Sequence, residues 1–133
     1  MILVDTSVWI DYFNGLASQE TNLLDIALIN DEVAIGDLIL LEILQGFRSD
    51  KDYETAKGHL MALHQFSMLS PDIAIKAAEN YRMLRKKGIT IRKTADVIIA
   101  TFCINNRIPL LFSDRDFIPF TKLLKLQSVA TQT

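Results

Sequence analysis

The chain opens Met1-Ile2-Leu3-Val4-Asp5-Thr6-Ser7, three apolar residues running straight into an acid and two hydroxyls. A short apolar run without polar alternation suits a strand buried on both faces, as in a parallel sheet. Asp5 then falls at the strand's carboxyl end, where open α/β sheets place their ligand crevice. Thr6 or Ser7 can cap the helix that follows, Val8 to Phe13. A helix-capping role alone would also account for Asp5, so its meaning depends on the rest of the chain.

The same alternation continues to the end. A helix is predicted over Ser18 to Asn30, a buried strand at Val33-Ala34-Ile35, and a helix from Leu38 to Phe47 with Asp37 as its cap. A polar helix follows over Lys51 to Gln65, then a strand at Phe66 to Leu69. Ser70-Pro71 is a helix start, with Ser at the N-cap and Pro at the first helical position. That helix closes at Gly88. Thr94 caps a helix from Ala95 to Asn105, Pro109 to Phe112 is another buried strand, Ser113 to Phe117 is a turn, and Leu126 to Val129 is a last strand. Strands alternating with helices of this length predict a parallel sheet covered on both faces.

With 133 residues the chain fits a single domain over 1–133. It is 50% hydrophobic and 23% charged, with a mean hydropathy of +0.21. That apolar balance predicts surface buried against another chain. No apolar run reaches the roughly 20 residues that a membrane span needs, and the start lacks the pattern of a signal peptide, so a cytoplasmic location without membrane contact is expected. The one cysteine, Cys103, lies in an apolar run and reads as core. A net charge of −2 is unhelpful for general nucleic-acid binding. Nucleic acid would have to engage local basic patches or metal ions that offset the acids.

The acids carry the functional signal. Glu42 interrupts the apolar stretch Leu38-Ile39-Leu40-Leu41-Glu42-Ile43-Leu44, although a position at a solvated margin would also explain it. Asp96 stands in the first turn of its helix, where the helix dipole favours an acid. Asp114 and Asp116 follow a strand. Turn chemistry explains either one, and a pair flanking Arg115 less well. In a parallel sheet, strand ends and the neighbouring helix starts share one edge, so these acids can converge. Carboxylates gathered in one pocket raise each other's pKa values unless cations are present. Magnesium and manganese take such oxygen ligands, and two ions roughly 4 Å apart can clamp the oxygens of a phosphodiester displacement. Thr6 or Ser113 could orient a water or a carboxylate. His59 and His64, five apart on the polar helix, read as surface residues.

At these residues the chain resembles the PIN domain and, within it, the VapC toxins of toxin–antitoxin pairs. The matching pieces are Met1 to Asp11, Leu41-Glu42-Ile43-Leu44-Gln45-Gly46, Thr94 to Ala100, and Leu110 to Phe117. All four occur in the family's order and spread over nearly the whole chain. The resemblance implies a PIN-like, Rossmann-like three-layer α/β sandwich with a central parallel sheet flanked by helices. It implies a Mg2+- or Mn2+-dependent endoribonuclease toxin that cuts RNA, forms a homodimer, and is neutralised by a cognate VapB-type antitoxin. Residue by residue, Asp5, Glu42 and Asp96 match the three steadiest acids, with Asp114 as the fourth and Asp116 in support. Asp5, Asp96 and Asp114 are the implied metal ligands, and Glu42 holds a metal through water or accepts a proton. Ser113 stands where Thr is usual and keeps the hydroxyl.

A basic set, Arg82, Arg85, Lys86, Lys87, Arg92 and Lys93, precedes Asp96. It reads either as an RNA-backbone contact or as a solvated helix end with favourable dipole contacts. Two other functional classes remain open. A haloacid dehalogenase-type phosphatase needs a second acid two residues after the first, where this chain has Ser7. A receiver domain needs a lysine after a late strand, where it has Ser113-Asp114-Arg115. A catalytically idle PIN-like binding module would have lost acids that are all present here.

Overall fold

The computed structural model describes residues 1–129. Among them the order is β1 (Ile2–Val4), α1 (Thr6–Phe13), α2 (Gln19–Ile29), β2 (Val33–Gly36), α3 (Asp37–Gln45), α4 (Asp50–Met61), β3 (His64–Phe66), α5 (Pro71–Lys86), α6 (Thr94–Asn106), β4 (Leu110–Leu111), a 3-10 turn (Arg115–Phe117) and α7 (Ile118–Leu123). The strands form one parallel sheet in the order β3-β2-β1-β4, flanked by the helices in a three-layer α/β arrangement. No helix among the described residues is long and apolar enough to cross a membrane.

β1 is buried because it has a neighbour on each side. Leu3 pairs with Ala34 of β2 and with Leu110 of β4, and Leu3 and Val4 are both fully buried. Helices on both faces remove the need for polar alternation. Leaving β1, the chain builds outward through β2 and β3, then crosses back to place β4 on β1's other side. The connections therefore diverge at the carboxyl ends of β1 and β4. This is the topological switch point, where open α/β sheets leave a crevice.

Local chemistry accounts for most boundaries. Ser18 caps α2 and shares a reciprocal capping box with Thr21. Ser49 caps α4, and Ser70 caps α5 ahead of Pro71. Gly88 follows the end of α5 with a φ of +83°, a left-handed conformation that suits glycine.

Several expected boundaries move. The cap of α1 is Asp5, not Thr6 or Ser7, because both hydroxyl side chains are engaged elsewhere. Gly36 caps α3 and Asp37 is its first residue. Lys93 precedes α6 and Thr94 is already helical. The polar helix ends at Met61 rather than Gln65, and the strand begins at His64 rather than Phe66. His64 is thus on an edge strand, exposed as expected. Register decides this boundary: His64, Gln65 and Phe66 pair with Ala34, Ile35 and Gly36, and an edge strand of three residues carries little apolar pattern. The expected last strand contracts to a single parallel bridge between Leu110 and Ser128.

Asp37 ties two elements together. Its Oδ1 accepts from Leu38 N at 2.9 Å and from Met68 N, across the β3–α5 connection, at 3.0 Å. Asp37→Ala leaves the Met68 N–H without that partner and is expected to lower stability by about 1–2 kcal/mol, which is large for an exposed site. Urea unfolding checks this, with Asp37→Asn, which keeps Oδ1, losing clearly less.

Candidate metal centre and acidic active site

The acids meet at the switch point because each comes from an element that ends or begins there. The backbone N–H of Asp5 donates to Leu111 O of β4 at 2.9 Å, which locks the end of β1 against the start of the segment carrying Asp114. Asp5 is 4% exposed and Asp96 is 5% exposed. Glu42, Asp114 and Asp116 are half-buried.

A chain of hydroxyls sets the geometry. Ser7 Oγ donates to Asp5 Oδ2 at 2.8 Å. With its proton committed to Asp5, Ser7 accepts from Ser113 Oγ, 3.2 Å away. Thr6 Oγ1 donates to Glu42 Oε1 at 2.7 Å. Successive residues of the first turn of α1 therefore reach three different parts of the site. Of the two hydroxyls expected to orient a water or a carboxylate, Thr6 reaches a carboxylate, that of Glu42, and Ser113 reaches the Ser7 hydroxyl. Ser7, a candidate helix cap by its position, is a site residue instead, and the two adjacent hydroxyls after an acid are the sequence signal for it.

Asp96, Asp114 and Asp116 each present a carboxylate oxygen within 4.8 Å of the others. Asp116 N donates to Asp114 Oδ1 at 2.9 Å, which fixes the pair. Asp116 was expected only in support; the structure brings it fully into the group. Asp5, expected among the ligands, lies outside this closest group but within electrostatic reach of Asp96.

Burial pushes the Asp5 carboxyl above its ordinary value, with Glu42 adding a smaller push; the Ser7 hydroxyl and the backbone N–H groups of Thr6 and Ser7 pull the other way. Asp96 is raised from 3.8 to about 7, first by burial and next by Asp5; Lys93 opposes this, and Asp114 and Glu42 add to it. Asp116 pairs with Arg92 at 3.3 Å, and that arginine is largely exposed. Asp96 Oδ2 is buried with no hydrogen-bond partner among the described residues. A buried, unsatisfied carboxylate oxygen beside two further carboxylates is a costly arrangement that a cation would relieve. The donors are all hard oxygens, which fits Mg2+ or Mn2+ rather than a soft-metal site. The Cys103 thiol is pushed up to about 12 by burial and then by Asp5, so it is a core side chain rather than a nucleophile.

The model of the PIN domain matches residues 2–123 of the chain. Ribonuclease VapC11 of Mycobacterium tuberculosis and VapC ribonuclease Mb1587 of Mycobacterium bovis are each 31% identical over 139 residues, covering 98% of this chain and 98% of theirs. Among solved structures, VapBC2 from Rickettsia felis bound to a DNA fragment from their promoter has a TM-score of 0.76 at 20% identity, covering 97% of this chain and 98% of that one. A toxin–antitoxin complex from Klebsiella pneumoniae has a TM-score of 0.68 at 22% identity, covering 88% and 90%.

The raised Asp96 pKa has a consequence for folding without metal. The group ionises near 3.8 in the unfolded chain and near 7 in the folded one. Between those values the folded state holds more protons, so stability falls as pH rises, and the loss is complete above about pH 7. The loss is on the order of 2–4 kcal/mol. In EDTA at pH 8, Asp96→Asn is therefore expected to melt higher than wild type by about 5 °C or more, with the gap closing towards pH 4. Thermal melts across pH check this, and Mg2+ should narrow the gap by stabilising wild type more.

Proposed function

The chain belongs to the PIN-domain family, and on that premise we propose that it is a metal-dependent endoribonuclease of the VapC type, the toxin of a toxin–antitoxin pair. The observation that carries this reading is the carboxylate group at the switch point, with its buried and unsatisfied Asp96 oxygen. Asp96, Asp114 and Asp116 would hold Mg2+ or Mn2+, with Asp5 beside them. Such an ion lowers the pKa of bound water and neutralises charge developing on the phosphodiester oxygens.

The remaining roles fall to the chain's own groups. Asp5, Glu42, Asp96, Asp114 and Asp116 form the catalytic set. Glu42 accepts a proton from the attacking water, with its carboxylate aimed by the Thr6 hydroxyl. Ser7 and Ser113 hold Asp5 in one rotamer, so its charge is positioned before substrate arrives. Arg92 and Lys93, at the entrance to α6, supply positive charge that attracts RNA phosphate.

Partners follow from the surface. Large apolar side chains remain exposed, among them Ile29 (77%), Ile75 (62%) and Leu41 (57%), and we assign part of this area to a homodimer. A groove of about 500 Å3 between α1, α2 and α4 is lined by Trp9, Tyr12, Phe13, Leu28 and Leu63. Trp9 packs against Phe13 with ring centroids 5.8 Å apart, and its Nε1 is buried with no acceptor among the described residues. A cognate VapB-type antitoxin segment laid in this groove would cover the aromatic wall, and an antitoxin Arg or Lys would reach the acids and stand in for metal charge.

Two outcomes are expected. Purified protein cuts structured RNA with Mg2+ or Mn2+ and stops on adding EDTA, while Asp5→Asn and Asp96→Asn each lower the cleavage rate by at least about 100-fold; undiminished cleavage by both variants would overturn the site. Light scattering gives a dimer mass at micromolar concentration, and co-expression of the antitoxin restores growth to cells making wild type but not to cells making Leu28→Arg.

A further inference from the structure

A second cavity, of about 490 Å3, opens between α5 and α6 on a different surface from the aromatic groove. Its floor is apolar, with the buried Ala77 and Val97, and its more exposed wall carries Ala74, Ala78, Tyr81, Arg82 and Arg85. That volume lies within the roughly 300–1,000 Å3 typical of small-ligand sites. The register of the helical hairpin relates this cavity to the acids. Asn80 donates to Thr101 at 3.0 Å and Lys76 to Asn105 at 2.7 Å, so α5 and α6 run antiparallel with those pairs side by side. Continued towards the loop that joins the two helices, the same register brings Arg85 level with Asp96. Thr94 and Val97, which flank Asp96, both line the cavity.

The charged side chains that line the cavity, Arg82 and Arg85, are both cations. Six of the chain's 14 Lys and Arg residues lie between positions 82 and 93, and no Asp or Glu occurs between Glu79 and Asp96. Neither Arg82 nor Arg85 has an acidic partner among the described residues. Arg85 is held over the Tyr81 ring, 5.5 Å from its centroid, so its planar cation is already ordered at the rim.

We propose that the α5–α6 cleft is a nucleotide subsite for single-stranded RNA next to the cleavage centre, with the base seated on Ala77 and Val97 between the Ala74 and Ala78 side chains and its phosphate held by Arg82 and Arg85. This rests on the ribonuclease reading and extends it from backbone attraction to a seat for one unstacked base. Single-stranded RNA is read in this way, with splayed bases against apolar, aromatic or guanidinium faces and cations on the backbone. An apolar floor under a cationic rim matches the two halves of a nucleotide.

The test uses full-length protein carrying Asp96→Asn, which keeps RNA intact, and measures fluorescence anisotropy with short labelled single-stranded oligoribonucleotides. Arg85→Gln is expected to weaken binding about tenfold and to reduce the slope of log affinity against log salt by about 1. Ala78→Phe, at an exposed position that fills the cleft, is expected to weaken binding severalfold while leaving the salt slope unchanged. Lys51→Gln, on α4, controls for loss of one charge and is expected to bind like the parent. If the parent binds RNA and wild type cleaves it, but Arg85→Gln and Ala78→Phe bind as the parent does, the subsite is wrong and the ribonuclease reading stands. If wild type neither binds nor cleaves RNA, both fall. A change of oligomeric mass in Ala78→Phe with RNA affinity unchanged would assign the cleft to a second copy of the chain and overturn the proposal.

Discussion

Asp96 lies in the first turn of α6, almost fully buried, with one carboxylate oxygen that nothing among the described residues satisfies. Two further aspartates present oxygens within 4.8 Å, and the buried Asp5 pushes the same group further from ionisation. Hydrogen bonds normally compensate buried polar atoms, and opposite charges normally compensate buried charges. Here the nearby cations, Arg92 and Lys93, stand at the rim rather than inside. The fold tolerates this repulsion at the one edge where the chain direction reverses about β1.

The rest of the structure holds that edge in place. β1 is hydrogen-bonded on both sides, so Asp5 cannot drift away from β4. The first turn of α1 spends its two hydroxyls on the site, Thr6 on Glu42 and Ser7 on Asp5 and Ser113. The capping of α1 is consequently left to Asp5 itself, through Ser7 N at 3.5 Å. That is a long contact, and Asp5 is better described as a site residue that also caps than as a cap. Helix stability and site geometry compete for the same side chains, and the site takes the shorter bonds.

Two of the apolar surfaces left among the described residues differ in their chemistry. The α1–α2–α4 groove is aromatic and contains a buried indole N–H without an acceptor, which suits a peptide with a carbonyl to offer. The α5–α6 cleft is aliphatic with arginines at its rim, which suits an anionic ligand. On the proposed reading, one chain would face a protein partner and a nucleic acid at once, although its net charge of −2 favours neither.

The parallel sheet was legible because apolar runs without alternation belong to strands covered on both faces, and Ile2-Leu3-Val4, Val33-Ala34-Ile35 and Leu110-Leu111 are such runs. The helix start at Ser70-Pro71 was legible because capping is chemistry between near neighbours. The acids were legible as residues in the wrong company, and their order along the chain carried the family resemblance. Other features depended on groups far apart in sequence. β3 begins at His64 because β2 offers it a register, which no local pattern in His64-Gln65-Phe66 announces. Asp116 joins Asp96, although twenty residues part them, because β4 sets the turn beside the start of α6. Thr6 reaches Glu42 across thirty-six positions. Sequence determines which residues have the chemistry and which local turns they favour, since those depend on neighbours along the chain. Only the tertiary structure decides which carboxylates share a pocket, because burial and charge repulsion act through space.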